Sequence, residues 1–194
     1  AAPKPGETVL VSAAAGSVGH LVGQLASIHG ARAVGVCGSD TKAKVLVEKL
    51  GFQAAVNYKT KDFREALKDA TPDGVDVYFD NTGGMILGSA LFRMNKGGRI
   101  ACCGVVSQYD TDKPEPSPKG IPGLLINKRL NMNGFLVFDY AERYAEARHQ
   151  LLTWLESGEL QFLTDEVYGL EAAPQAFVDL LSGGNLGSRV VRLN

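Results

Sequence analysis

A glycine-rich stretch near the start of the chain has the residue types that hold a diphosphate. Residues 11–26 read VSAAAGSVGHLVGQLA, where Gly16 and Gly19 match two glycines of the dinucleotide pattern G-x-G-x-x-G and Ala14 takes the place of the first. A strand ending at Ser12 and a helix beginning near Ser17 would direct free backbone N–H groups at a bound diphosphate. We predict a pyrophosphate-binding loop, with a plain tight turn as the alternative.

The end of the second predicted strand indicates which dinucleotide would bind. An NAD site usually places Asp or Glu there, on the ribose hydroxyls, whereas this sequence reads VCGS at residues 36–39. Ser39 can donate a hydrogen bond and Lys42 can reach back as a point charge, which favours the 2′-phosphate of NADP. The alternatives are that Asp40 and Lys42 are solvated residues of a helix start, or that Asp40 binds the ribose.

The elements that would position these residues alternate between short β-branched runs and stretches with helical spacing of apolar residues, as in βαβ units. We predict an α/β fold over residues 1–194, a Rossmann-like doubly wound parallel sheet with helices on both faces, with Ser39 and Asp62 as helix N-caps. After Val106, a proline-rich segment is predicted as a long loop, followed by a strand, a long helix and a tail. The strand-like runs are TVLVSA, ARAVGVC, AAVNY, VDVYFD and GRIACCGVV.

Composition and charge argue against several classes of partner. A net charge of −1 and scattered basic residues give no electrostatic reason to expect nucleic acid or an anionic membrane. The cysteines Cys37, Cys102 and Cys103 form neither a C-x₂-C ligand pair nor an even disulfide set, so no metal site is predicted. No apolar run reaches the roughly 20 residues of a membrane span, and the start does not resemble a signal peptide, which predicts a cytoplasmic protein.

Six motifs, in order along nearly the whole chain, resemble a known family: VSAAAGSVG, GSDTK, LGFQAAVNYKT, DGVDVYFDNTGG, GRIACCGVVSQY and GGNLGS. The chain resembles the nucleotide-binding part of the medium-chain dehydrogenase/reductase superfamily, in the zinc-independent prostaglandin reductase and curcumin reductase-like branch. The resemblance implies NADPH as cofactor, no metal, and hydride transfer to the activated C=C bond of an α,β-unsaturated ketone or aldehyde. It also implies a small-molecule enone or enal as substrate, and a homodimer through the nucleotide-binding domain.

The resemblance further implies which residues contact NADP. The glycine loop would hold the pyrophosphate, and the ends of the second and third strands would hold the 2′-phosphate region. The end of the fourth strand would face the middle of the cofactor, the loop after the fifth would lie under the nicotinamide ribose, and a later backbone segment would meet the carboxamide. In chain order, with one more contact near the C-terminus, these residues are Ala15, Gly16, Ser17, Val18, Gly19, Ser39, Lys42, Tyr58, Asn81, Cys103, Gly104, Val105, Ser107, Tyr109, Phe135, Leu136, Val137 and Asn185.

Several of these residues also have a structural interpretation. Tyr58 could pack at the end of a strand, and Cys102 and Cys103 could be small core residues. Asn185 could serve a turn in the Gly-Gly-Asn sequence.

Two departures from the family pattern bear on activity. Asn127 stands where several members have a tyrosine, and an amide cannot serve as a phenolic acid, so no catalytic residue is predicted. The first cofactor strand comes almost at once, whereas family chains begin with a barrel-like, GroES-like substrate domain. We therefore expect a truncated chain that is not active alone, whose residues from about 163 to 194 would partly pack on that domain.

Other functions are open on the sequence. A quinone or zinc-dependent alcohol oxidoreductase of the same superfamily would share the fold, and a non-catalytic dinucleotide-binding module would be favoured if no substrate domain belongs to the protein. A methyltransferase would require an acidic residue at the position of Cys37. Tyr109 and Lys113 spell the Y-x-x-x-K pair of short-chain dehydrogenases, but that pair needs one helical face, and Pro114 and Pro116 follow it.

Overall fold

The structure, a computed structural model, describes residues 1–109, 112–113 and 118–193. Within them the main sheet has six parallel strands: β1 (Thr8–Val11), β2 (Arg32–Cys37), β3 (Ala54–Asn57), β4 (Val75–Asp80), β5 (Met94–Cys102) and β6 (Asn131–Gly134). Their spatial order is β3-β2-β1-β4-β5-β6, which confirms the predicted doubly wound sheet. The order reverses between β1 and β4, so their carboxyl ends flank the crevice where open α/β sheets bind ligands.

Helices cover both faces of this sheet. Strand side chains alternate between two apolar clusters, because successive residues of a strand point to opposite faces. Leu10 lies in the cluster that contains Leu67, whereas Val11 lies in the cluster that contains Ala26 and Leu46. The α-helices of the described residues are α1 (Gly19–Ile28), α2 (Asp40–Leu50), α3 (Phe63–Ala70), α4 (Gly84–Arg93), α5 (Ile121–Lys128), α6 (Tyr144–Ser157) and α7 (Ala173–Leu181).

Residues at the two ends of α2 explain where this helix begins and ends, whereas the side chain at the start of α3 makes no capping bond. Ser39 Oγ accepts a hydrogen bond from the Lys42 N–H at 3.3 Å, which confirms the predicted N-cap. Gly51, with a φ of 70°, ends α2 in the left-handed conformation. Asp62 is the N-cap residue of α3, as predicted, but its side chain makes no capping hydrogen bond.

Three backbone features differ from the sequence prediction. α1 begins at Gly19 rather than near Ser17, and the preceding turn places Ala13 at a φ of 46°. The predicted proline-rich loop is followed directly by α5, which tolerates Pro122 because the first turn of a helix leaves its N–H groups free. The predicted long helix is interrupted at Tyr140, whose φ and ψ of −117° and 22° are not helical, so a 3₁₀ segment (Val137–Arg143) precedes α6.

The C-terminal segment folds back onto the amino-terminal half. It contains β7 (Thr164–Tyr168), α7 and β8 (Ser188–Arg192), and β7 pairs with β8 in a separate parallel sheet. Gln24 of α1 holds the segment: its Nε2–H donates to the Gln161 carbonyl at 2.9 Å and its Oε1 accepts the Gln161 N–H at 2.7 Å. Across the described residues, none of the helices has the length and apolar character needed to cross a membrane.

Candidate dinucleotide-binding cleft

The loop between β1 and α1 is shaped by close backbone approaches. The Gly16 N–H donates to the Ala13 carbonyl at 2.9 Å and closes a tight turn. A Cβ at Gly19 would overlap the Ala13 carbonyl oxygen and would lie 2.7 Å from Ala14 Cα. Because any side chain would push the helix away, glycine is required at position 19 for α1 to begin this close to the turn.

The start of α1 offers donors to a ligand. In the part of the chain that the structure describes, no acceptor is present for the backbone N–H group of Val18, whereas Gly16 and Ser17 pair with Gly187 in a short parallel bridge. The first turn of α1 carries no acidic residue that would repel an anion. Free N–H groups at a helix N-terminus bind phosphate groups, because the helix dipole adds to their partial charge. Residues 15–19 therefore fit the diphosphate of a dinucleotide.

His20 ties this loop to the C-terminal segment. Its Nδ1–H donates to the Gly16 carbonyl at 2.8 Å, and its Nε2 accepts the Leu163 N–H at 3.2 Å; these two partners assign the tautomer. Burial lowers the pKa of His20, against the opposing effect of the Gly16 hydrogen bond, so the neutral ring is favoured. The Gly187 N–H also donates to the Ala15 carbonyl at 2.8 Å. The last part of the chain thus supports the glycine loop.

The carboxyl ends of β2 and β3 form a second part of the site. The Tyr58 ring lies beside Gly38, where an added Cβ would come within 3.5 Å of it. Lys42 lies in the first turn of α2, and its Nζ donates to the Gly183 carbonyl at 2.6 Å. Burial is the largest influence on the Lys42 ammonium and lowers its pKa. Ser39, Lys42 and Tyr58 therefore lie around the same strand ends.

Asp40 is the residue that could have bound a ribose instead. Its carboxylate accepts a hydrogen bond from Asn57 Nδ2 at 3.0 Å, and both residues belong to this same region. The side chain is exposed and is held toward β3 by this bond, because Asn57 is the last residue of β3.

Asn81, the residue after β4, spans the crevice between β1 and β4. Its Nδ2–H donates to the Ser12 carbonyl at 2.7 Å, and its backbone N–H donates to Ser12 Oγ at 2.9 Å. The N–H groups of Cys103 and Gly104 donate to the Asp80 carbonyl at 2.8 and 3.1 Å. The carboxyl ends of β1, β4 and β5 are therefore bonded to one another at the point where the strand order reverses.

A cleft of about 540 Å³ opens beside these strand ends. Phe135 closes one side, packing edge-to-face against Phe79 with ring centroids 6.1 Å apart. The cleft brings together two segments that are distant in sequence and were both predicted to meet the nicotinamide half of the cofactor. Its lining residues are Cys102, Cys103, Gly104, Val105, Tyr109, Gly134, Phe135, Leu136 and Asp139.

The two cysteines of this cleft are not activated thiols. Burial raises the pKa of both Cys102 and Cys103, and the negative charge of Asp80 raises both further. Their thiols are therefore protonated at neutral pH, which fits the alternative interpretation of both as small packing residues.

Ser107 has a buried hydroxyl with no hydrogen-bond partner among the described residues. Its backbone N–H donates to the Thr82 carbonyl at 3.0 Å, which holds the loop after β5 against the turn before α4. A buried unpaired hydroxyl costs free energy unless a ligand or water completes it. Tyr109, in the same loop, is exposed, as is Val137 beyond the cleft.

Two other sequence-predicted residues, Asn127 and Asn185, are not among the residues that line the cleft. Asn185 is buried, and its Nδ2–H donates to the Gly187 carbonyl at 2.7 Å, so its amide group serves the local turn. Asn127 is exposed on α5. The Y-x-x-x-K motif from Tyr109 to Lys113 includes residues 110 and 111, which lie outside the described residues, as do Pro114 and Pro116.

Sequence reasoning missed Ser12, Asp80 and Thr82 as site residues. Ser12 and Asp80 are buried polar residues at the ends of two apolar strands, and this is the signal that could have found them. Their pairing, however, depends on β1 and β4 being neighbours, which is a property of the sheet order.

Residues 17–155 match the family model described as zinc-binding dehydrogenase. The chain belongs to this dehydrogenase family. Its curated relatives include prostaglandin reductase 1 and an NADPH-dependent curcumin reductase, the two kinds of reductase that the six motifs resemble. No group of three or more His, Cys, Asp or Glu residues that could hold a metal ion is found in residues 1–109, 112–113 and 118–193.

Three members of the family illustrate the similarity. The chain is 46% identical to the 2-alkenal reductase (NADP(+)-dependent) of Nicotiana tabacum, over 99% of this chain and 56% of that protein. It is 47% identical to prostaglandin reductase 1 of Bos taurus, over 97% of this chain and 57% of that protein. The crystal structure of CurA from Vibrio vulnificus in complex with NADPH superposes with a TM-score of 0.93 at 38% identity, over 99% of this chain and 58% of that chain. The chain thus spans a little over half the length of these relatives.

Proposed function

We propose that this chain is the NADP(H)-binding domain of an oxidoreductase that reduces the activated C=C bond of an α,β-unsaturated ketone or aldehyde. The observation that carries the cofactor assignment is the group of Ser39, Lys42 and Tyr58 at the ends of β2 and β3. A cation and two hydroxyls suit a 2′-phosphate, whereas an NAD site would present a carboxylate there. The named activities of the tobacco and bovine relatives support the reaction class.

Each part of the cleft has a task in this proposal. The free N–H group of Val18 at the start of α1 would bind the pyrophosphate, and Lys42 would bind the 2′-phosphate. Asn81 would align the middle of the cofactor, since its amide is fixed by Ser12. Residues 103–109 and 135–137 would bound the nicotinamide half, and the unpaired Ser107 hydroxyl would find a partner there.

The chemistry requires orientation more than acid–base catalysis by this domain. When bound, NADPH supplies a hydride that forms a C–H bond at the substrate β-carbon, while the resulting enolate takes a proton at the α-carbon from water and NADP⁺ is left. The contribution of this chain is to hold the cleft walls in a fixed arrangement, with Phe135 packed against Phe79. Asn127 is exposed on α5, and its amide N–H groups are not acidic, so this residue does not supply the proton.

We also propose that the C-terminal segment, residues 163–194, partly packs on a substrate domain. Within its described part, large apolar side chains are exposed: Tyr168, Leu170 and Phe177 are 67%, 70% and 60% exposed. Exposed apolar side chains of this size favour a protein contact.

A homodimer through the nucleotide-binding domain is the last element of the proposal. β6 is an edge strand of the sheet, so one side of its backbone has no strand partner. Leu136, Val137 and Phe138 follow it with 64%, 57% and 76% of their surface exposed. A second copy would cover both the edge and this apolar run.

A calorimetric titration tests the cofactor assignment. The chain is titrated with NADPH and with NADH, as wild type, as Lys42→Ala and as Lys44→Ala. Lys44 is the matched control because it lies on the same helix and is exposed, paired only with Glu48 at 3.8 Å. We expect Lys42→Ala to weaken NADPH binding by about 10-fold or more, the value of a charge-assisted hydrogen bond, and to leave NADH binding unchanged.

Two results would contradict the proposal. Equal affinity of the wild type for NADPH and NADH would contradict the assignment of a 2′-phosphate site. Binding of neither nucleotide would contradict the assignment of a dinucleotide site. If NADPH binds, the reaction is tested with a protein that includes the substrate domain. An enal is added, and the loss of NADPH absorbance is followed. Binding without turnover would favour the non-catalytic dinucleotide-binding module.

A further inference from the structure

Asp80 is a buried carboxylate at the carboxyl end of β4, with 2% of its surface exposed. Its Oδ1 alone accepts five hydrogen bonds, and every partner is a donor. An oxygen that is surrounded only by donors is typical of an ionised carboxylate, which has no proton of its own to donate. The donors and distances are Tyr78 Oη at 2.8 Å, the Thr82 N–H at 2.9 Å, the Gly83 N–H at 2.9 Å, Ser12 Oγ at 3.2 Å and Thr82 Oγ1 at 3.3 Å.

These bonds join the segments that surround the cleft. Ser12 belongs to the end of β1 and also binds Asn81, while Thr82 and Gly83 form the turn before α4. The Asp80 carbonyl, in turn, accepts the N–H groups of Cys103 and Gly104, which line the cleft. One residue therefore fixes the relative positions of three strand ends.

The charge of Asp80 is not neutralised. No ion pair joins it to a Lys, Arg or His side chain in the described ranges 1–109, 112–113 and 118–193. Its field reaches the cleft, because it raises the pKa of Cys102 and Cys103, second to the effect of their burial. It also raises the pKa of the buried Tyr78 hydroxyl.

We infer that Asp80 is a positioning residue whose uncompensated negative charge makes the cleft favour NADP⁺ over NADPH. The oxidised nicotinamide ring is positively charged and the reduced ring is neutral, so a buried negative charge beside the cleft stabilises only the oxidised form. Hydride donation then becomes more favourable in the bound state than in water. This inference deepens the proposed function and rests on it.

The test compares dissociation constants of NADP⁺ and NADPH for wild type, Asp80→Asn and Tyr78→Phe. Asp80→Asn keeps the size of the side chain and one acceptor oxygen but removes the charge. Tyr78→Phe is the control, since it removes one of those hydrogen bonds and leaves the charge in place. Circular dichroism and thermal unfolding establish that each variant is folded, and Asp80→Ser provides a second neutral variant.

We expect Asp80→Asn to raise the ratio of the NADP⁺ to the NADPH dissociation constant by about 3- to 10-fold, the effect of a unit charge acting over roughly 10 Å in partly solvated protein. Tyr78→Phe should leave that ratio within about 2-fold of wild type, since no charge is lost.

An equal change in both dissociation constants in the neutral variants would overturn the inference, because Asp80 would then act through structure alone. A wild type that binds neither form would refute the proposed function itself and the inference with it. These two failures are distinguished by the wild-type titration.

Discussion

The substitution His20→Leu would separate the glycine loop from the C-terminal segment while keeping a side chain of similar size. It removes the donor to the Gly16 carbonyl and the acceptor of the Leu163 N–H. The Gly16 carbonyl keeps the His20 backbone N–H at 3.2 Å, so the main loss is a partly buried N–H of Leu163 with no partner. An unsatisfied buried donor costs about 1–3 kcal/mol, and for this partly buried one we expect the free energy of unfolding to fall by about 1–2 kcal/mol.

His29→Leu is the matched control for this experiment. His29 lies at the end of the same helix and makes the same bond to a carbonyl four residues earlier, Leu25, at 2.8 Å. It is exposed, and its substitution should change the free energy of unfolding by less than about 0.5 kcal/mol. Urea denaturation measures both variants, and hydrogen exchange measures the protection of the Leu163 amide. Equal effects of the two substitutions, or an unchanged Leu163 amide, would refute the role assigned to His20.

The same residue predicts a pH dependence. His20 has a lowered pKa in the folded protein, whereas the unfolded chain takes up its proton near 6.5. The unfolded state therefore binds more protons as the pH falls below 6.5, and stability is lost in that range. Above it, the contribution of His20 is complete. We expect this loss in the wild type and its absence in His20→Leu; a wild type whose stability is unaffected between pH 6.5 and the lowered folded pKa would contradict the assignment.

Two further predictions concern a surface pair and the assembly. Glu7 binds Arg99 through both oxygens at 2.8 and 2.7 Å, which lowers its pKa to about 2. Glu7→Gln should therefore reduce the free energy of unfolding at pH 7 by about 1–2 kcal/mol. The free energies of unfolding of the two proteins should converge as the pH falls from 4.5 toward about 2. A difference that stays constant over this pH range would exclude the ion pair as the cause. Light scattering should give the mass of two chains if β6 pairs with a second copy, and a concentration-independent monomer mass would contradict the homodimer.

The strands of the main sheet and the first four helices were predictable because their signals are local, whereas β7 and β8 were not predicted. The burial of Leu10 and Val11 on opposite faces of the sheet follows from the period of two in a strand. The capping of α2 by Ser39 needs only residues three positions apart. These features are decided within one element and its immediate neighbours, so sequence patterns are sufficient for them.

The features that were missed depend on backbone geometry or on distant contacts. Ala13 takes a positive φ, which the residue type at position 13 does not predict. α5 begins with Ile121 and Pro122, and proline at a helix start is indistinguishable from proline in a loop until the following turn forms. The convergence of donors on Asp80 requires the reversal of strand order between β1 and β4.

The glycine loop shows how little of a binding site a motif contains. Residues 11–26 include the donors for a diphosphate, but the loop is held in place by partners far along the chain. The Ala15 carbonyl accepts the Gly187 N–H, and His20, which binds Gly16, accepts the Leu163 N–H. Because these contacts connect positions more than 140 residues apart, the loop can be rigid only when the C-terminal segment is folded onto α1. Pre-organised donors bind an anion more tightly than mobile ones, so the affinity for a dinucleotide is a property of both ends of the chain.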